Sequence, residues 1–234
     1  MATGLRSAPQ AVVLLSGGLD SLVAACLAAD SADLRLAITC DYGQRAAYPE
    51  ICAAAVQAGR LGIPHYVVNL PWLGRISPTP ITHDGGRLPH PDIADLDRPT
   101  AAAETASQVW VPNRNAVLLM VAAAHAEALD CQVIVAGFNA EEAATFPDNS
   151  AAFVAAANAL LAHSTANHPT IFSPTIAMTK TEIVEAAAAR SIRLDTIYSC
   201  YEAGPRHCLQ CESCLRLQRA LREAGIWEDI APFL

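Results

Sequence analysis

The residues with the clearest chemical potential form the segment SGGLDS at residues 16–21. It follows the apolar run AVVLL at residues 11–15 and precedes a helical pattern, which is typical of a strand, a tight turn and a helix. Such a turn aims free backbone N–H groups and the positive end of a helix dipole at one point, which favours a phosphate group. The glycines let the backbone approach an anion, the serines add hydroxyl donors, and Asp20 offers a carboxylate for Mg²⁺. The sequence therefore predicts a phosphate-binding loop.

Two familiar phosphate loops do not match this turn. A Walker loop requires a Gly-Lys-Ser/Thr ending, and residues 16–21 contain no lysine. The Gly-x-Gly-x-x-Gly spacing of dinucleotide-binding proteins is also absent from them. The alternative is an ordinary glycine-rich turn capped by Ser and Asp. Because the turn ends the first strand of the chain, we favour the phosphate-binding interpretation.

A second group of chemistry-bearing residues is the cysteine set Cys200, Cys208, Cys211 and Cys214. Its Cys-x2-Cys steps let thiolates converge on one tetrahedral ion, and four such ligands leave no open coordination position. The spacing predicts structural Zn²⁺, which contributes about 10 kcal/mol to folding in such sites. An iron–sulfur cluster lacks its Cys-Pro ending here, and neighbouring Cys-x2-Cys pairs argue against disulfides. His207 is an alternative ligand, although four cysteines already close the shell.

Composition limits the class of protein. The chain has 234 residues, of which 53% are hydrophobic and 16% charged, which is typical of one compact domain with or without an appendage. The formal net charge of −8 argues against a nucleic-acid-binding surface. Neither a membrane-length apolar stretch nor an N-terminal signal pattern occurs in the sequence, so we expect no membrane partner. Cysteines that suit metal binding and apolar packing rather than disulfides are typical of the reducing cytoplasm, where we expect the protein. The remaining cysteines lie in apolar segments and are expected to pack as small hydrophobic residues, at positions Cys26, Cys40, Cys52 and Cys131.

Alternating strand and helix patterns position these motifs. Strands are predicted at residues 11–15, 34–40, 65–70, 132–136 and 170–174, with helical patterns between them. The polar residues DYGQR at 41–45 follow the second strand, where open α/β sheets bind ligands. Ser150 and Thr179 are predicted helix caps, the latter with Glu182 in a capping box. The alternation predicts an α/β fold with a parallel, doubly wound sheet.

One long segment lacks a helical or strand period. Residues 71–108 contain recurrent prolines and scattered aspartates, and the sequence predicts a long loop there. Such a loop is either a lid over a substrate or simply disordered, and we favour the lid. We therefore divide the chain into an α/β domain at residues 1–195 and a zinc-binding segment at residues 196–234.

The motifs together resemble the 7-cyano-7-deazaguanine synthase family of the ATP-pyrophosphatase superfamily, which makes queuosine and archaeosine precursors. The resemblance covers nearly the whole chain: SGGLDS at 16–21, DYGQR at 41–45, VPNRN at 111–115, MTK at 178–180, SCY at 199–201 and the last three cysteines. This chain has Asn113 where the family commonly has glycine, and asparagine tolerates the left-handed backbone. It also has AATFPDNS at 143–150, which keeps only the Pro-Asp of the family segment YSGYPDCR. If that segment contacts the base, substrate identity depends on it.

The resemblance implies an adenine nucleotide alpha hydrolase-like, Rossmann-like fold with a zinc-bound C-terminal appendage. It implies a ligase that uses ATP and Mg²⁺ to convert 7-carboxy-7-deazaguanine and ammonia into the 7-cyano base. An acyl adenylate, an amide and a second activation by ATP would lie between them. A homodimer is also implied.

Candidate site residues follow from the resemblance and from side-chain chemistry. Charge developing on the phosphates requires fixed donors and cations, which suits Lys180 and Arg114, with Asp20 as a magnesium ligand. A solvated lysine at a helix start is the alternative for Lys180. Asp148 is a candidate acceptor for the guanine-like amino group. The candidate catalytic residues are Asp20, Ser21, Arg114 and Lys180. The candidate nucleotide or substrate contacts are Leu15, Ser16, Gly17, Gly18, Leu19, Asp20, Ser21, Tyr42, Gln44, Arg45, Asn115, Gly137 and Asp148.

Two other functions stay open at this point. The first is an adenylating enzyme of the same superfamily that acts on a tRNA base or another target. The second is a non-catalytic, zinc-stapled module that binds ATP without turnover. Asp20 and Lys180 argue against the second function.

Overall fold

In a computed structural model, which describes residues 8–82, 86–96 and 98–234, five parallel strands form one sheet in the order β3-β2-β1-β4-β5. The strands are β1 Gln10–Leu14, β2 Asp33–Asp41, β3 His65–Asn69, β4 Val133–Val135 and β5 Thr170–Phe172. The chain forms β2 and β3 on one side of β1 and then forms β4 and β5 on its other side. The predicted parallel α/β fold is therefore confirmed, including its short fifth strand.

Helices cover both faces of this sheet. Successive strand residues point to opposite faces, so Val12 and Ile134 lie in one core while Val13 and Val135 lie in another. Buried strand residues on both faces are typical of a doubly wound parallel sheet. Within the described residues the helices are α1 Leu19–Ala28, α2 Ala47–Leu61, α3 Pro71–Ile76, α4 Pro99–Val109, α5 Arg114–Ala128, α6 Ala140–Ala143, α7 Ala151–Ser164, α8 Lys180–Ala189, α9 Glu212–Glu223 and α10 Trp227–Ile230.

The strand order places the binding edge of the sheet. β1 lies between β2 and β4, and the connections leave it in opposite directions. A crevice forms beyond the carboxyl ends of strands at such a switch point. The segment at residues 16–21 directly follows β1, so it lies at this crevice.

The segment at residues 71–108 contains more regular structure than the sequence predicts. It forms α3 and α4, with a short 3-10 helix at Ile93–Asp95 between them. The expectation of a segment without helices is therefore wrong. Both helices begin with a proline, whose fixed φ suits the first helical position, so these prolines start helices rather than exclude them. Residues 83–85 and 97 of this segment, like residues 1–7, lie outside the described residues.

The C-terminal segment packs into the main body. Leu217, Leu221 and Leu234 share a buried cluster with Leu22 of α1 and Ile183 of α8. A shared core fixes α9 against the helix that follows the phosphate loop. The domain division at residue 195 stays a prediction.

The predicted helix caps are present. The side chain of Ser150 accepts from the backbone N–H of Phe153 at 3.1 Å, and Thr179 with Glu182 forms a complete capping box. None of the helices in the described ranges combines the length and apolar composition that a membrane crossing requires.

Candidate active site

The loop after β1 is held by contacts from α2 and from the segment that follows α8. Gly17 has φ +85°, and its carbonyl accepts from the Tyr198 backbone N–H at 2.9 Å and from Gln57 Nε2 at 2.8 Å. The hydroxyl oxygens of Ser16 and Ser21 lie 3.1 Å apart across the turn. Gly18 is the N-cap residue of α1 and has no side chain to cap it. The first N–H groups of α1 therefore suit an anion bound at the end of β1.

Gly137, just after β4, packs directly against this loop. A Cβ atom at this position would lie 2.5 Å from the backbone nitrogen of Ser21 and 2.6 Å from the backbone carbon of Asp20. Only a residue without a side chain permits this approach. The ends of β1 and β4 together therefore shape the floor of the crevice.

A cleft of about 250 Å³ opens above these strand ends. It brings together most of the predicted site residues, although they are separated by up to 165 positions in the chain. The predicted residues that line it are Leu15, Ser16, Gly18, Asp20, Ser21, Tyr42, Gln44, Arg114, Asn115, Gly137 and Lys180. The C-terminal segment contributes part of the wall through Tyr198, Ser199, Tyr201 and Ser213.

Lys180 lies between two carboxylates at the centre of the cleft. Its Nζ is 3.0 Å from Asp20 Oδ2 and 3.2 Å from Glu142 Oε1. The residue is only 4% exposed, so the alternative of a solvated surface charge is wrong. Burial lowers the pKa of Lys180, but the carboxylates of Asp20 and Glu142 outweigh burial and raise the pKa above its usual value. The ammonium group is thus a fixed, permanently charged cation at the loop.

Asp20 has an oxygen left over for another ligand. Burial raises its pKa to about 6, with Lys180 acting in the opposite direction. Its Oδ1 atom is buried and has no hydrogen-bond partner among the described residues. Mg²⁺ prefers carboxylate oxygens and is commonly held by one or two carboxylates together with substrate phosphates. The unpartnered Oδ1 atom therefore fits the predicted magnesium ligand.

Arg114 enters the cleft from the start of α5. Its guanidinium lies 5.9 Å from the centre of the Tyr42 ring, and its Nε donates to Asn115 Oδ1 at 3.2 Å. Asn113, the N-cap residue of α5, has φ 56°. This is the left-handed backbone conformation that asparagine tolerates, as expected from the sequence. Asn115 Nδ2 in turn donates to the Asp148 carbonyl at 3.2 Å. These contacts orient Arg114 toward the cleft.

A smaller pocket, which we call the annex, adjoins the cleft. Trp110 and Phe146 form one side of it with ring centres 6.1 Å apart and planes 8° from parallel. Asp148 lies in the annex, and Arg114 and Lys180 line both the annex and the cleft. The annex therefore presents aromatic surface and a hydrogen-bond acceptor close to the central lysine.

The cysteine cluster is built as a closed site. The Sγ atoms of Cys200, Cys208, Cys211 and Cys214 all lie within 4.8 Å of one another. Cys208 Sγ and Cys214 Sγ are 3.9 Å apart, close to the roughly 3.8 Å expected for two thiolates on a tetrahedral zinc ion. Backbone N–H groups of Glu202 and Cys208 each donate to Cys200 Sγ at 3.3 Å. The cluster is compatible with structural zinc.

Comparisons with known proteins identify a family for this chain. The family described as "Queuosine biosynthesis protein QueC" matches residues 10–225. The chain belongs to this family. The 7-cyano-7-deazaguanine synthase of Desulforudis audaxviator is 49% identical over 92% of this chain and 97% of its own, and that of Desulforamulus reducens is 45% identical over 92% and 94%. The NMN synthetase structure from Francisella tularensis is 12% identical, has a TM-score of 0.45, and is covered over 86% of its length by 94% of this chain.

Four predicted residues of this QueC-family chain lie away from the cleft surface. Gly17 supports the loop from behind, where a Cβ would lie 2.5 Å from the Glu50 carbonyl. Leu19 is 1% exposed and packs in the core beneath α1. Arg45 instead contacts Thr82 and Gly86: its Nε donates to the Thr82 carbonyl at 3.3 Å, and its guanidinium bonds to the Gly86 carbonyl. Asp148 lies in the annex. Their assigned roles stay predictions.

Two carboxylates in the cleft were missed by the sequence reasoning. Glu142 follows β4 by seven positions and was not assigned a role, although acidic residues near that strand end are a signal for a site. Glu50 lies in the first turn of α2 and accepts from Gln44 Nε2 at 2.9 Å. Burial raises the pKa of Glu50 to about 7, against the hydrogen bond from Gln44. No sequence signal distinguished Glu50 from an ordinary helix-capping charge.

One expectation about the other cysteines is wrong, and the structure decides the alternative that His207 is a ligand. Cys52 is exposed on α2 and is not a packed hydrophobic residue, while Cys40 and Cys131 are buried as predicted. His207 is not drawn into the cysteine cluster. Its Nε2 accepts from the Ser199 backbone N–H at 3.0 Å and so supports the cleft wall.

Proposed function

We propose that this chain converts 7-carboxy-7-deazaguanine and ammonia into 7-cyano-7-deazaguanine, with ATP as the activating substrate. Membership of the QueC family and the names of its relatives, which are 7-cyano-7-deazaguanine synthases, support this substrate class. The observation that carries the chemistry is Lys180 held between Asp20 and Glu142 beside an uncapped helix start.

In the first step a carboxylate oxygen of the base attacks the α-phosphorus of ATP. The bond from that phosphorus to the bridging oxygen breaks, and pyrophosphate leaves. Negative charge grows on the departing phosphates, and the α1 N–H groups and the Lys180 ammonium are placed to stabilise it. Mg²⁺, when bound at Asp20, would neutralise further phosphate charge.

In the second step ammonia attacks the acyl carbon, AMP leaves, and one proton is lost to give the amide. The amide oxygen then attacks a second ATP, and pyrophosphate leaves. Loss of AMP with the remaining N–H protons forms the nitrile. Two protons must therefore leave the nitrogen after amide formation, and Glu50 lines the cleft with a pKa raised by burial to about 7, which suits a general base near neutral pH.

The annex is our candidate site for the base. Asp148 and Glu142 offer acceptors for N–H groups of a guanine-like edge, and Trp110 with Phe146 offers flat apolar surface. Phe146 and Asp148 belong to the segment at 143–150, whose sequence differs from the common family pattern. The base would thus meet this chain's own version of that segment.

The four cysteines would hold Zn²⁺ as a structural ion. Their four thiolates fill a tetrahedral shell and leave no position for substrate. Zinc would fix the turn that carries Tyr198, Ser199 and Tyr201 along the cleft wall. The proposed homodimer and the cytoplasmic location stay predictions.

The test is incubation of zinc-loaded protein with ATP, Mg²⁺, ammonium and the 7-carboxy base, followed by mass spectrometry and measurement of AMP and pyrophosphate. We expect nitrile and two AMP for each nitrile formed, which follows from the two activation steps above. Omission of ammonium should leave only the first pyrophosphate release. ATP binding without any cleavage would contradict the proposal and favour the non-catalytic module, whereas cleavage that depends on tRNA would favour the other adenylating function.

A further inference from the structure

A junction of largely buried charges lies beside Lys180 along the annex and reaches the cysteine segment. Its centre is Glu141 of α6, next in sequence to Glu142. Glu141 Oε1 accepts from the backbone N–H of Lys180 at 2.9 Å. Glu141 Oε2 lies 2.8 Å from the Arg219 guanidinium and 3.4 Å from that of Arg216. One carboxylate thus joins α6, the start of α8 and α9.

Arg216 has a side chain that is 9% exposed and makes contacts in three directions. Its Nε donates to Glu212 Oε1 at 3.0 Å, its Nη1 reaches Glu141, and its Nη2 donates to the Leu96 carbonyl at 2.9 Å. Leu96 belongs to the connection that precedes α4. A guanidinium has several donors in a rigid fork and can satisfy such divergent acceptors, which a lysine ammonium cannot do with the same geometry.

This junction connects the cysteine cluster with the reacting region. Arg216 lies two residues after Cys214 on α9, and Cys211 is the N-cap residue of that helix. A rigid cysteine cluster therefore holds the start of α9 in place, and it holds the backbone of Arg216 in place as well. From Arg216 the contacts run through Glu141 to the first residue of α8, whose side chain meets Asp20.

Arg216 and Arg219 both form ion pairs with Glu141. Breaking one partner of a buried ion pair leaves an uncompensated charge, so the arrangement is costly to disturb. Glu212 Oε2 already has no hydrogen-bond partner among the described residues, which makes its side chain especially dependent on Arg216.

We propose that Glu141 and Arg216 form a brace through which the cysteine segment positions Lys180 against Asp20. Arg216 and Glu141 also line the annex. The role proposed for Arg216 is to position Lys180 through Glu141, so exchange at the Lys180 amide, measured without the base, is the readout that a direct contact with the base would not change. The inference rests on the proposed function where it concerns turnover, and on the contacts alone where it concerns Lys180. The brace gives the cysteine segment a role in the reaction in addition to its role in folding.

The first test is Arg216→Lys, which keeps the charge but loses the three-way fork. We expect kcat for AMP release to fall about 10- to 100-fold, because small displacements of a catalytic group have effects of this size. KM for ATP should change by less than about twofold, since the phosphate loop is untouched. Zinc content should stay at the wild-type level. Hydrogen exchange at the Lys180 amide should accelerate, because Glu141 loses part of its anchor.

The matched control is Arg60→Lys. Arg60 forms a two-point ion pair with Asp195 at 2.6 and 3.1 Å, which also ties the chain ahead of Cys200 to the main body. Neither Arg60 nor Asp195 lines the cleft or the annex. This variant should lose the two-point geometry of a more exposed ion pair, while kcat and Lys180 amide exchange stay within about twofold of wild type.

A second variant covers the case in which Arg216→Lys does not fold. Glu141→Gln keeps an oxygen that accepts from the Lys180 amide but removes the charge that holds both arginines. It should show the same fall in kcat with KM retained. Restoring the side-chain carboxylate at the same position with Glu141→Asp should recover part of the loss.

Zinc removal provides a further test that needs no turnover measurement. Zinc removal from wild-type protein by a chelator should accelerate exchange at the Lys180 amide. The same treatment of Arg216→Lys should add little, because two changes on one path are not additive. Equal, additive effects would overturn the brace.

The remaining outcomes separate the two proposals. Wild-type kcat with unchanged amide exchange in both variants would overturn the brace and leave the proposed function intact. Equal losses in Arg216→Lys and Arg60→Lys would show a general stability effect and also overturn the brace. If wild-type protein releases no AMP, the proposed function fails, and the amide-exchange arms still decide whether the brace positions Lys180.

Discussion

The phosphate loop and the four-cysteine segment are both short sequence motifs, but they depend on the rest of the chain to different extents. The cysteine ligands lie within 15 consecutive positions and converge on one point. The loop at residues 16–21 instead meets Lys180, Glu142 and Glu50, which arrive from distant helices. A closed metal site needs mainly its own spacing, whereas a site that must bind, activate and move protons needs groups of opposite charge from several elements.

The brace connects these two regions. Glu141 and Arg216 extend the cysteine segment toward Lys180, so the self-contained motif supports the distributed one. The comparison therefore predicts that damage to the cysteines affects stability first, whereas damage to the loop affects chemistry first.

The largest expected effect is on the cysteine side. Cys208→Ser removes one of four thiolates, and we expect zinc stoichiometry and Tm to fall together, since such sites contribute about 10 kcal/mol to folding. Metal analysis and thermal unfolding measure both quantities. The exposed Cys52 is the matched control, and Cys52→Ser should change the free energy of unfolding by less than about 0.5 kcal/mol. Full zinc retention by Cys208→Ser would contradict the four-thiolate site.

The next effect is on the loop side. Asp20→Asn removes the carboxylate that faces Lys180 and carries the unpartnered Oδ1 atom. We expect pyrophosphate release to fall about 10²- to 10³-fold, which is typical when one electrostatic contact to a reaction site is removed. Zinc content should be unchanged. A variant with normal turnover would refute the role assigned to Asp20.

A smaller effect is expected where β4 meets the loop. A Cβ at Gly137 would lie 2.5 Å from the Ser21 backbone nitrogen, so Gly137→Ala should destabilise the protein by about 1–3 kcal/mol and reduce pyrophosphate release. Chemical denaturation and the pyrophosphate assay check these outcomes. Gly59→Ala is the control, because no atom lies within 4 Å of the added Cβ and the position is inside α2. It should leave turnover unchanged and stabilise the helix slightly.

The smallest effect concerns pH. Burial raises the pKa of Glu50 from 4.5 to about 7, so the folded state binds its proton more tightly than the unfolded state does. The stability from this group is fully present below pH 4.5 and is lost as pH rises through about 7. Glu50→Gln should therefore reduce the fall in the free energy of unfolding across that window.

Glu182 provides the opposite sign for the pH experiment. Hydrogen bonds from Thr179 lower the pKa of Glu182, so its contribution is present above its usual pKa and is lost on acidification. Glu182→Gln should remove a loss of stability at acidic pH.

Identical pH profiles for Glu50→Gln and wild type would show that Glu50 is not buried as described.

Most of the fold could be predicted from local sequence patterns. Apolar runs of strand length, glycines after β1 and the capping box at Thr179 each depend on neighbouring residues, and the structure contains all of them. The prolines at 71 and 99 misled the prediction, because proline both disrupts a helix interior and suits a helix start. Composition alone does not separate these two positions.

The amino-acid sequence by itself determined the parallel α/β fold, the phosphate loop, the four-cysteine set and the family resemblance, since each of these can be read from short local motifs, even where the motifs are spread along the chain. Only the tertiary structure decided that Lys180 is buried between Asp20 and Glu142, that Glu50 lines the cleft, and that Arg216 faces Glu141 rather than the thiolates. Burial and the choice of charge partner depend on how distant helices pack, and no spacing along the chain encodes that packing directly.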